Sequence, residues 1–125
     1  MKHILLDTNF FFVPFQMGVN IFSEIERIVD EPLELFTLSS TIGEIERVAK
    51  SGKGDDKASA KLALQLAKNL KIIDTPNSGD AAILAYAKVN TDVIVATNDS
   101  ELRKKLKAAK TRTIFLRGKN KLEIG

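Results

Sequence analysis

The sequence predicts an α/β fold, a three-layer α/β/α sandwich with a mainly parallel central sheet of about five strands. One observation predicts the layers, and two more indicate a single domain with its own core. Short apolar segments alternate along the chain with longer segments whose apolar residues recur at helical spacing. The 125 residues have the length of one domain, and no internal repeat or long linker divides them, so we expect residues 1–125 to form a single domain. There is no cysteine, so a packed core and not disulfides must stabilise the fold.

The first half of the chain predicts two strands, two helices and an irregular segment. Lys2 to Asp7 is an apolar run ended by an acid, as in a buried strand. Residues 9–18 are rich in phenylalanine and interrupted by proline and glycine, which predicts a loop or a broken helix. Val19 to Asp30 places its apolar residues on one helical face. Leu33 to Leu38 alternates in part, as a strand does, and Thr41 to Lys50 is predicted to be a helix.

The second half repeats the alternation. The run Val-Ile-Val-Ala that begins at Val93 is typical of a strand covered on both faces. The basic segment that follows has leucines at helical spacing, so it is predicted to be a helix with its charges outward. The predicted elements are helices over 55–71, 80–89 and 100–110, strands over 71–74, 91–97 and 113–116, and an edge strand over 121–124.

The composition excludes several kinds of site. With no cysteine and one histidine, His3, the chain has no thiolate zinc site and no multi-histidine metal site. No apolar run approaches the roughly 20 residues that cross a membrane. The first residues lead directly into a predicted strand without the pattern of a signal peptide. We therefore expect a cytoplasmic protein that does not bind membranes.

The net charge of +3 hides an asymmetry between the two ends of the chain. Residues 101–125 contain nine Lys or Arg and two Glu, whereas the first 100 residues have a net charge of −4. A basic segment attracts polyanions such as nucleic acids, although a solvated helix face has the same composition. The candidate residues for contacts with a nucleic-acid backbone are Arg103, Lys104, Lys105 and Lys107.

Four acids are predicted at one edge of the sheet. Asp7 ends the first strand, Glu44 lies in the helix after the second, Asp80 begins the helix after the third, and Asp99 follows the fourth. Because the carboxyl ends of parallel strands line one edge, we expect these side chains to converge. Each also has a purely structural explanation, namely a turn at Asp7, a capping box from Thr41 to Glu44, the helix dipole at Asp80 and an N-cap at Asp99.

The convergence predicts a metal site. Several carboxylates in one cleft repel one another, and a bound divalent cation is the usual compensation. Oxygen ligands without histidine or cysteine select Mg²⁺ or Mn²⁺. Such an ion beside a basic surface suggests phosphodiester hydrolysis by an activated water, which needs no side-chain nucleophile.

Four segments resemble the motifs of the PIN domain, a small metal-dependent ribonuclease module. Their order and spacing agree with the family over essentially the whole chain, and the last is the most specific. They are Ile4-Leu5-Leu6-Asp7-Thr8-Asn9, Ser40-Thr41-Ile42-Gly43-Glu44-Ile45-Glu46, Asp80-Ala81-Ala82-Ile83-Leu84-Ala85-Tyr86-Ala87 and Val93-Ile94-Val95-Ala96-Thr97-Asn98-Asp99-Ser100-Glu101-Leu102-Arg103.

The resemblance implies an endoribonuclease that needs Mg²⁺ or Mn²⁺ and cleaves single-stranded or unpaired RNA. It implies that the catalytic and metal-site acids are Asp7, Glu44, Asp80 and Asp99, with Asp7 and Asp80 as the direct ligands. Thr97 would orient a ligand or a water, and Asn9 would contact the metal ligands without binding the metal itself.

The sequence departs from the family pattern in its acid count. Many members have a second acid directly after the third-motif aspartate, where this chain has Ala81. Some members have a further aspartate just beyond the fourth strand, where this chain has Ser100 and Glu101. The number of bound ions therefore stays open.

Two cellular roles are compatible with the resemblance. One is the toxin of a toxin–antitoxin pair, with a small antitoxin as partner and a homodimer as the usual state. The other is ribosomal-RNA processing, with pre-ribosomal RNA as substrate. The C-terminal segment 113–124 resembles the basic hairpin that closes the processing type, which slightly favours that role.

Two alternatives stay open. A catalytically silent PIN-like module would bind RNA or a protein without cleaving it. A phosphoacceptor receiver domain would have a similar length, with Asp74 as acceptor and Thr97 as switch hydroxyl. However, such a domain needs paired acids after its first strand and a lysine where this chain has Arg117 and Gly118.

Overall fold

Six strands and six α-helices follow one another along the chain in the predicted order. The computed structural model describes all 125 residues. The strands are β1 (Lys2–Leu6), β2 (Leu33–Leu38), β3 (Lys71–Ile73), β4 (Val93–Ala96), β5 (Thr113–Arg117) and β6 (Lys121–Ile124). The helices are α1 (Val13–Met17), α2 (Ile21–Val29), α3 (Ser39–Ser51), α4 (Asp55–Lys68), α5 (Gly79–Val89) and α6 (Ser100–Ala108), and a 3₁₀ turn over Thr8–Phe12 precedes α1.

The strands form one sheet in the order β3-β2-β1-β4-β5-β6. The first five strands are parallel, and β6 is antiparallel to β5. In the register, Ile4 of β1 lies between Leu35 of β2 and Ile94 of β4. The prediction of a mainly parallel sheet is confirmed, and the predicted edge strand over 121–124 is the sixth strand.

Helices cover both faces of the sheet, which gives the predicted three layers. Successive residues of a strand point to opposite faces, so Ile4 and Leu6 pack into one core and Leu5 into another. The first core contains apolar residues of α2, α3 and α4, and the second contains those of α5 and α6. Each helix layer therefore buries a separate set of strand side chains.

The boundaries differ from the sequence predictions at several elements. Helix α3 begins at Ser39, so the expectation of a capping box with Thr41 as N-cap is wrong. Thr41 is instead a buried residue inside the helix. The phenylalanine-rich segment is a 3₁₀ turn followed by α1, which ends at Gly18 with φ +67°. A left-handed residue ends the helix there, and glycine adopts that conformation without a Cβ clash.

The winding of the chain places a switch point between β1 and β4. From β1 the chain adds β2 and β3 on one side, and from β4 it adds β5 and β6 on the other. The connecting helices change faces where the direction changes. Open α/β sheets bind ligands at the carboxyl ends of the strands that flank such a point. Asp7 and Thr97 are the residues that follow β1 and β4.

No helix combines the length and the apolar character that crossing a bilayer requires.

Candidate active site at the carboxyl edge of the sheet

Asp7 is the central acid of this edge. Its backbone N–H donates to the carbonyl of Ala96 at 2.9 Å, which fixes the residue between the two central strands. Its side chain is bound on both oxygens, because Oδ1 accepts the N–H of Thr8 at 2.8 Å and Oδ2 accepts the hydroxyl of Thr97 at 2.7 Å. Asp7 is only 8% exposed. Asp7 also N-caps the 3₁₀ turn, which confirms its structural explanation as a turn residue. The same side chain thus serves the turn and lies at the centre of this edge.

The pKa of Asp7 is raised above its ordinary value, and the causes identify its neighbours. Burial is the largest cause, because it removes water from the charged carboxylate. Hydrogen bonds from Thr97 and Thr8 lower the pKa in part. The negative charges of Glu44 and Asp80 raise it again. Three of the four predicted acids therefore share one electrostatic environment.

Glu44 reaches this environment from the middle of α3. Its Oε2 accepts the hydroxyl of Thr8 at 2.7 Å. Because Thr8 also donates its N–H to Asp7, a single residue holds both carboxylates. Thr8 belongs to the first motif and was not among the predicted site residues, because the motif alone gives no signal that its hydroxyl spans two elements.

Asp80 lies in the first turn of α5 and is half-buried. No side chain caps this helix, so the carboxylate of Asp80 is not used to satisfy the helix N-terminus. Its position also agrees with the helix-dipole explanation. Its effect on the pKa of Asp7 shows that α5 presents it toward the same edge.

Asp99 joins the edge through Thr97. Its backbone N–H donates to Thr97 Oγ1 at 3.1 Å, and that hydroxyl in turn donates to Asp7. Its Oδ1 accepts the N–H groups of Glu101 and Leu102 at 3.0 and 3.2 Å. The explanation of Asp99 as the N-cap of α6 is thus confirmed. Its Oδ2 accepts no hydrogen bond within the chain and is the oxygen left for a ligand.

Two asparagines tie the loops of this edge together. Asn9 donates weakly to Asp7 Oδ2, at 3.4 Å, and its own carbonyl accepts the N–H of Asn98 at 3.1 Å. The side-chain carbonyl of Asn98 accepts the N–H of Leu116 in β5 at 2.8 Å. Asn98 was not among the predicted site residues. Its position in the sequence between the predicted site residues Thr97 and Asp99 was the one signal that could have identified it.

The donor set suits a hard cation, but it is not a closed cage. The available donors are carboxylate oxygens, which Mg²⁺ and Mn²⁺ prefer. No group of three or more His, Asp or Glu side chains is arranged to surround an ion. Mg²⁺ is commonly held by one or two carboxylates together with waters and substrate phosphates. Asp7 with Asp80 or Glu44 could therefore hold an ion, which would relieve the repulsion that raises the pKa of Asp7.

Three of the four predicted acids at this edge are partly exposed, and Asp7 is buried. None of the main grooves of the molecule includes any of the three acids that share the environment of Asp7. Small-molecule sites are concave and enclose most of their ligand. A partly exposed acidic edge outside these grooves suits a polymer, which can lie across it, better than a small metabolite.

The predicted basic residues follow this edge along α6. Leu102 and Leu106 of this helix are buried, so the charged residues lie on its outer side. Arg103, Lys104 and Lys107 line one groove beside β5, and Lys105 is not part of that lining.

Comparison with known proteins identifies the family. A model of the family described as "PIN like domain" matches residues 4–119. The chain belongs to the PIN-like domain family. This membership removes the receiver-domain alternative, for which Asp74 would have to be the acceptor. Asp74 is exposed after the edge strand β3, away from the switch point.

Individual PIN-like relatives extend this result. Ribonuclease VapC4 of Methanocaldococcus jannaschii is 43% identical over 127 aligned positions, which span 99% of this chain and 97% of that protein. Ribonuclease VapC9 of Archaeoglobus fulgidus is 33% identical over 64 positions, 51% of this chain and 47% of that protein. The solved PIN domain endonuclease Utp24 superposes with a TM-score of 0.80 at 18% identity, covering 98% of this chain and 90% of that one. At that identity the superposition supports the fold alone.

Proposed function

We propose that this protein is an endoribonuclease that uses Mg²⁺ or Mn²⁺ to hydrolyse phosphodiester bonds in single-stranded or unpaired RNA. The observation that supports it most is the buried Asp7 at the switch point, whose pKa is raised by burial and by two further acids of the same edge. The partial exposure of these acids outside the main grooves suits a polymeric substrate. The match over nearly the full length to a protein named as a ribonuclease supports RNA as that substrate.

The chain's own residues position the reacting groups. Thr97 and Thr8 hold Asp7 from both sides, so its carboxylate cannot rotate away from the edge. Glu44 is bound through Oε2, which leaves Oε1 free to orient an attacking water by a hydrogen bond. When bound at Asp7 and Asp80, a divalent cation supplies positive charge to the scissile phosphate and to the attacking water. The basic side of α6 supplies contacts to the RNA backbone, which position the strand without reading its sequence.

The toxin role is the better supported of the two cellular roles. The relatives matched in sequence are ribonucleases of the VapC type, one of them along the whole chain. A toxin needs a small antitoxin protein as partner, and a homodimer is the expected state. Expression of the wild-type chain without a partner should arrest growth, whereas Asp80→Asn should not. Normal growth on expression of an RNA-cleaving wild type would favour the processing role.

The test of the activity is cleavage of an end-labelled, unstructured RNA in Mn²⁺, in Mg²⁺ and in EDTA. Wild type should cleave only with a cation, and Asp80→Asn should be inactive, because it removes one ligand charge at nearly constant volume. Asp92→Asn is the matched control, since Asp92 is an exposed aspartate before β4, at the opposite edge of the sheet.

Two results would contradict the proposal. Equal cleavage by wild type and Asp80→Asn would place the activity at another site or in a contaminant. No cleavage by wild type in either cation, with Mn²⁺ failing to bind, would favour the silent binding module.

A further inference from the structure

One part of the sheet is not covered by a helix. In β5 and β6, Ile114, Leu116, Leu122 and Ile124 pack toward the first core. Their neighbours therefore point to the opposite face, where α6 is the last helix of its layer. A groove of about 320 Å³ lies there between α6 and β5. We call it the α6–β5 groove, and the residues used below are Arg103, Lys104, Lys107 and Phe115.

The groove is strongly basic. Three of its lining residues are Arg103, Lys104 and Lys107, and no aspartate or glutamate lines it. Lys104 lies 3.7 Å from Glu101, but both side chains are about three-quarters exposed, so this pair is weak. Neither Arg103 nor Lys107 has an acidic partner. The positive charge is therefore available to a ligand.

Arg103 is held in an unusual way. Its guanidinium carbon lies 3.5 Å from the centre of the Phe115 ring. Its Nε is buried and has no hydrogen-bond partner. Stacking on an aromatic ring and not an ion pair thus fixes the orientation of this side chain. Arg103 as a whole is partly exposed, and its planar guanidinium is a group that both stacks on bases and donates to phosphate oxygens.

The groove begins close to the acidic edge. Helix α6 starts directly after Asp99. With a rise of about 1.5 Å per residue, Arg103 and Lys107 lie about 6 and 12 Å further along the helix. A strand whose scissile phosphate lies at the acids would therefore bring its neighbouring nucleotides to these cations.

We propose that the α6–β5 groove binds the RNA segment next to the scissile bond, with one unpaired base stacked on Arg103 and phosphates contacting Lys104 and Lys107. This inference rests on the proposed ribonuclease function and specifies where its substrate lies. A positive groove combined with stacking surfaces is the usual arrangement for single-stranded nucleic acids. Lys105, which lies outside the groove lining, contributes less to binding in this arrangement.

Binding can be measured without cleavage. The probe is a fluorescently labelled, unstructured RNA of about 12 nucleotides. Its affinity is measured by fluorescence anisotropy in EDTA at several salt concentrations. Arg103→Ala should weaken binding about tenfold, the effect of losing one stacked base. The double variant Lys104→Ala/Lys107→Ala should lower the slope of log K against log salt by about 1.4. Lys61→Ala is the control, because Lys61 is exposed on α4 at the opposite face of the sheet.

A second arm separates stacking from charge. Arg103→Lys keeps the charge and loses the planar group, so binding should fall several-fold while the salt slope stays unchanged. Wild type should bind an abasic strand of the same length more weakly than it binds the RNA. Arg103→Lys should bind the abasic strand and the RNA equally well. Because Arg103→Ala also removes the contact with Phe115, its melting temperature is measured in parallel. Phe115→Leu, which removes the ring beneath the guanidinium, should weaken binding in the same direction.

The outcomes that overturn the proposal are distinct from failure of the ribonuclease function. Wild-type affinity in both Arg103→Ala and the double lysine variant overturns it. If those variants instead lose affinity for a polyglutamate peptide, the groove is a surface for an acidic protein. Wild-type binding by Arg103→Lys overturns the stacking contact. Cation-dependent cleavage by wild type, measured separately on the same RNA, tests the proposed function whatever the groove variants do.

Discussion

At the scale of single residues, the Thr97 hydroxyl connects two of the predicted acids directly. It donates to Asp7 at 2.7 Å and accepts the backbone N–H of Asp99 at 3.1 Å. Thr97 is fully buried, so water cannot replace these bonds. The hydroxyl therefore fixes the carboxylate of Asp7 relative to the start of α6.

Thr97→Val should remove this connection at constant shape. It leaves the Asp99 N–H without its acceptor, which costs about 1–3 kcal/mol of stability. Losing a group that orients a ligand should lower cleavage about 10- to 100-fold. Thr97→Ser keeps the hydroxyl and should restore most of the activity. The measurements are RNA cleavage and urea unfolding, and wild-type cleavage by Thr97→Val would contradict this role.

Asp7→Asn should stabilise the protein at neutral pH in EDTA. Its folded-state pKa is raised, mainly by burial, above the ordinary value of 3.8. As pH rises through that value, the unfolded chain releases the proton while the folded chain holds it, so the native state loses stability. The loss is complete once pH exceeds the folded-state pKa. Asparagine cannot ionise and avoids this loss.

The melting temperatures of the two proteins should therefore diverge with pH. The two melting temperatures should be similar near about pH 3, where the Asp7 carboxyl of the wild type is mostly protonated in both the folded and the unfolded chain. Asp7→Asn should melt higher by a few degrees at about pH 7, and Asp92→Asn should follow wild type. A lower melting temperature for Asp7→Asn at neutral pH would mean that its hydrogen bonds outweigh the burial of its charge.

At the scale of elements, α6 depends on Asp99 for its structure as well as its place in the site. Oδ1 of Asp99 satisfies two N–H groups of the first turn. Asp99→Ala should lower the free energy of unfolding by about 1 kcal/mol, and Asp99→Ser should recover most of it, since serine is also a good N-cap. Because serine has no carboxylate, cleavage should stay low in both variants. If Asp99→Ser cleaves like wild type, Asp99 serves only as a cap.

Elements were predictable from the sequence where periodicity is strong, and their ends were not. The run from Val93 to Ala96 is buried throughout, as its composition predicted. The start of α3 was placed two residues late, because the Thr41–Glu44 spacing matches a capping box. In the fold, the Glu44 side chain instead meets the hydroxyl of Thr8, 36 residues earlier. Local spacing cannot distinguish a cap from a contact that only the tertiary structure creates.

At the scale of the whole molecule, the parallel topology unites acids that are far apart in the chain. The alternation of strands and helices was sufficient to predict that acids at strand ends share an edge. In the structure, Glu44 and Asp80 lie close enough to Asp7 for their charges to contribute to its raised pKa, after burial as the main cause. What the sequence could not supply was the set of hydroxyl and amide groups that position them, such as Asn98 between Asn9 and β5. Those bonds depend on side-chain directions, which periodicity does not determine.

Because the proposed ligands come from different elements and meet only in the folded chain, cation binding should raise the stability of the whole chain. An ion that binds only the folded state stabilises it, by about 2.7 kcal/mol when its concentration is a hundred times its Kd. For a domain of this size that corresponds to a rise of about 10 °C in melting temperature. Wild type should show such a rise in saturating Mn²⁺, and EDTA should reverse it. Asp7→Asn and Asp80→Asn should lose the rise and Asp92→Asn should keep it, because only the first two remove a proposed ligand. An equal rise in Asp7→Asn would place the ion elsewhere on the molecule. No rise in wild type, together with RNA cleavage that persists in EDTA, would remove the cation from the proposed function.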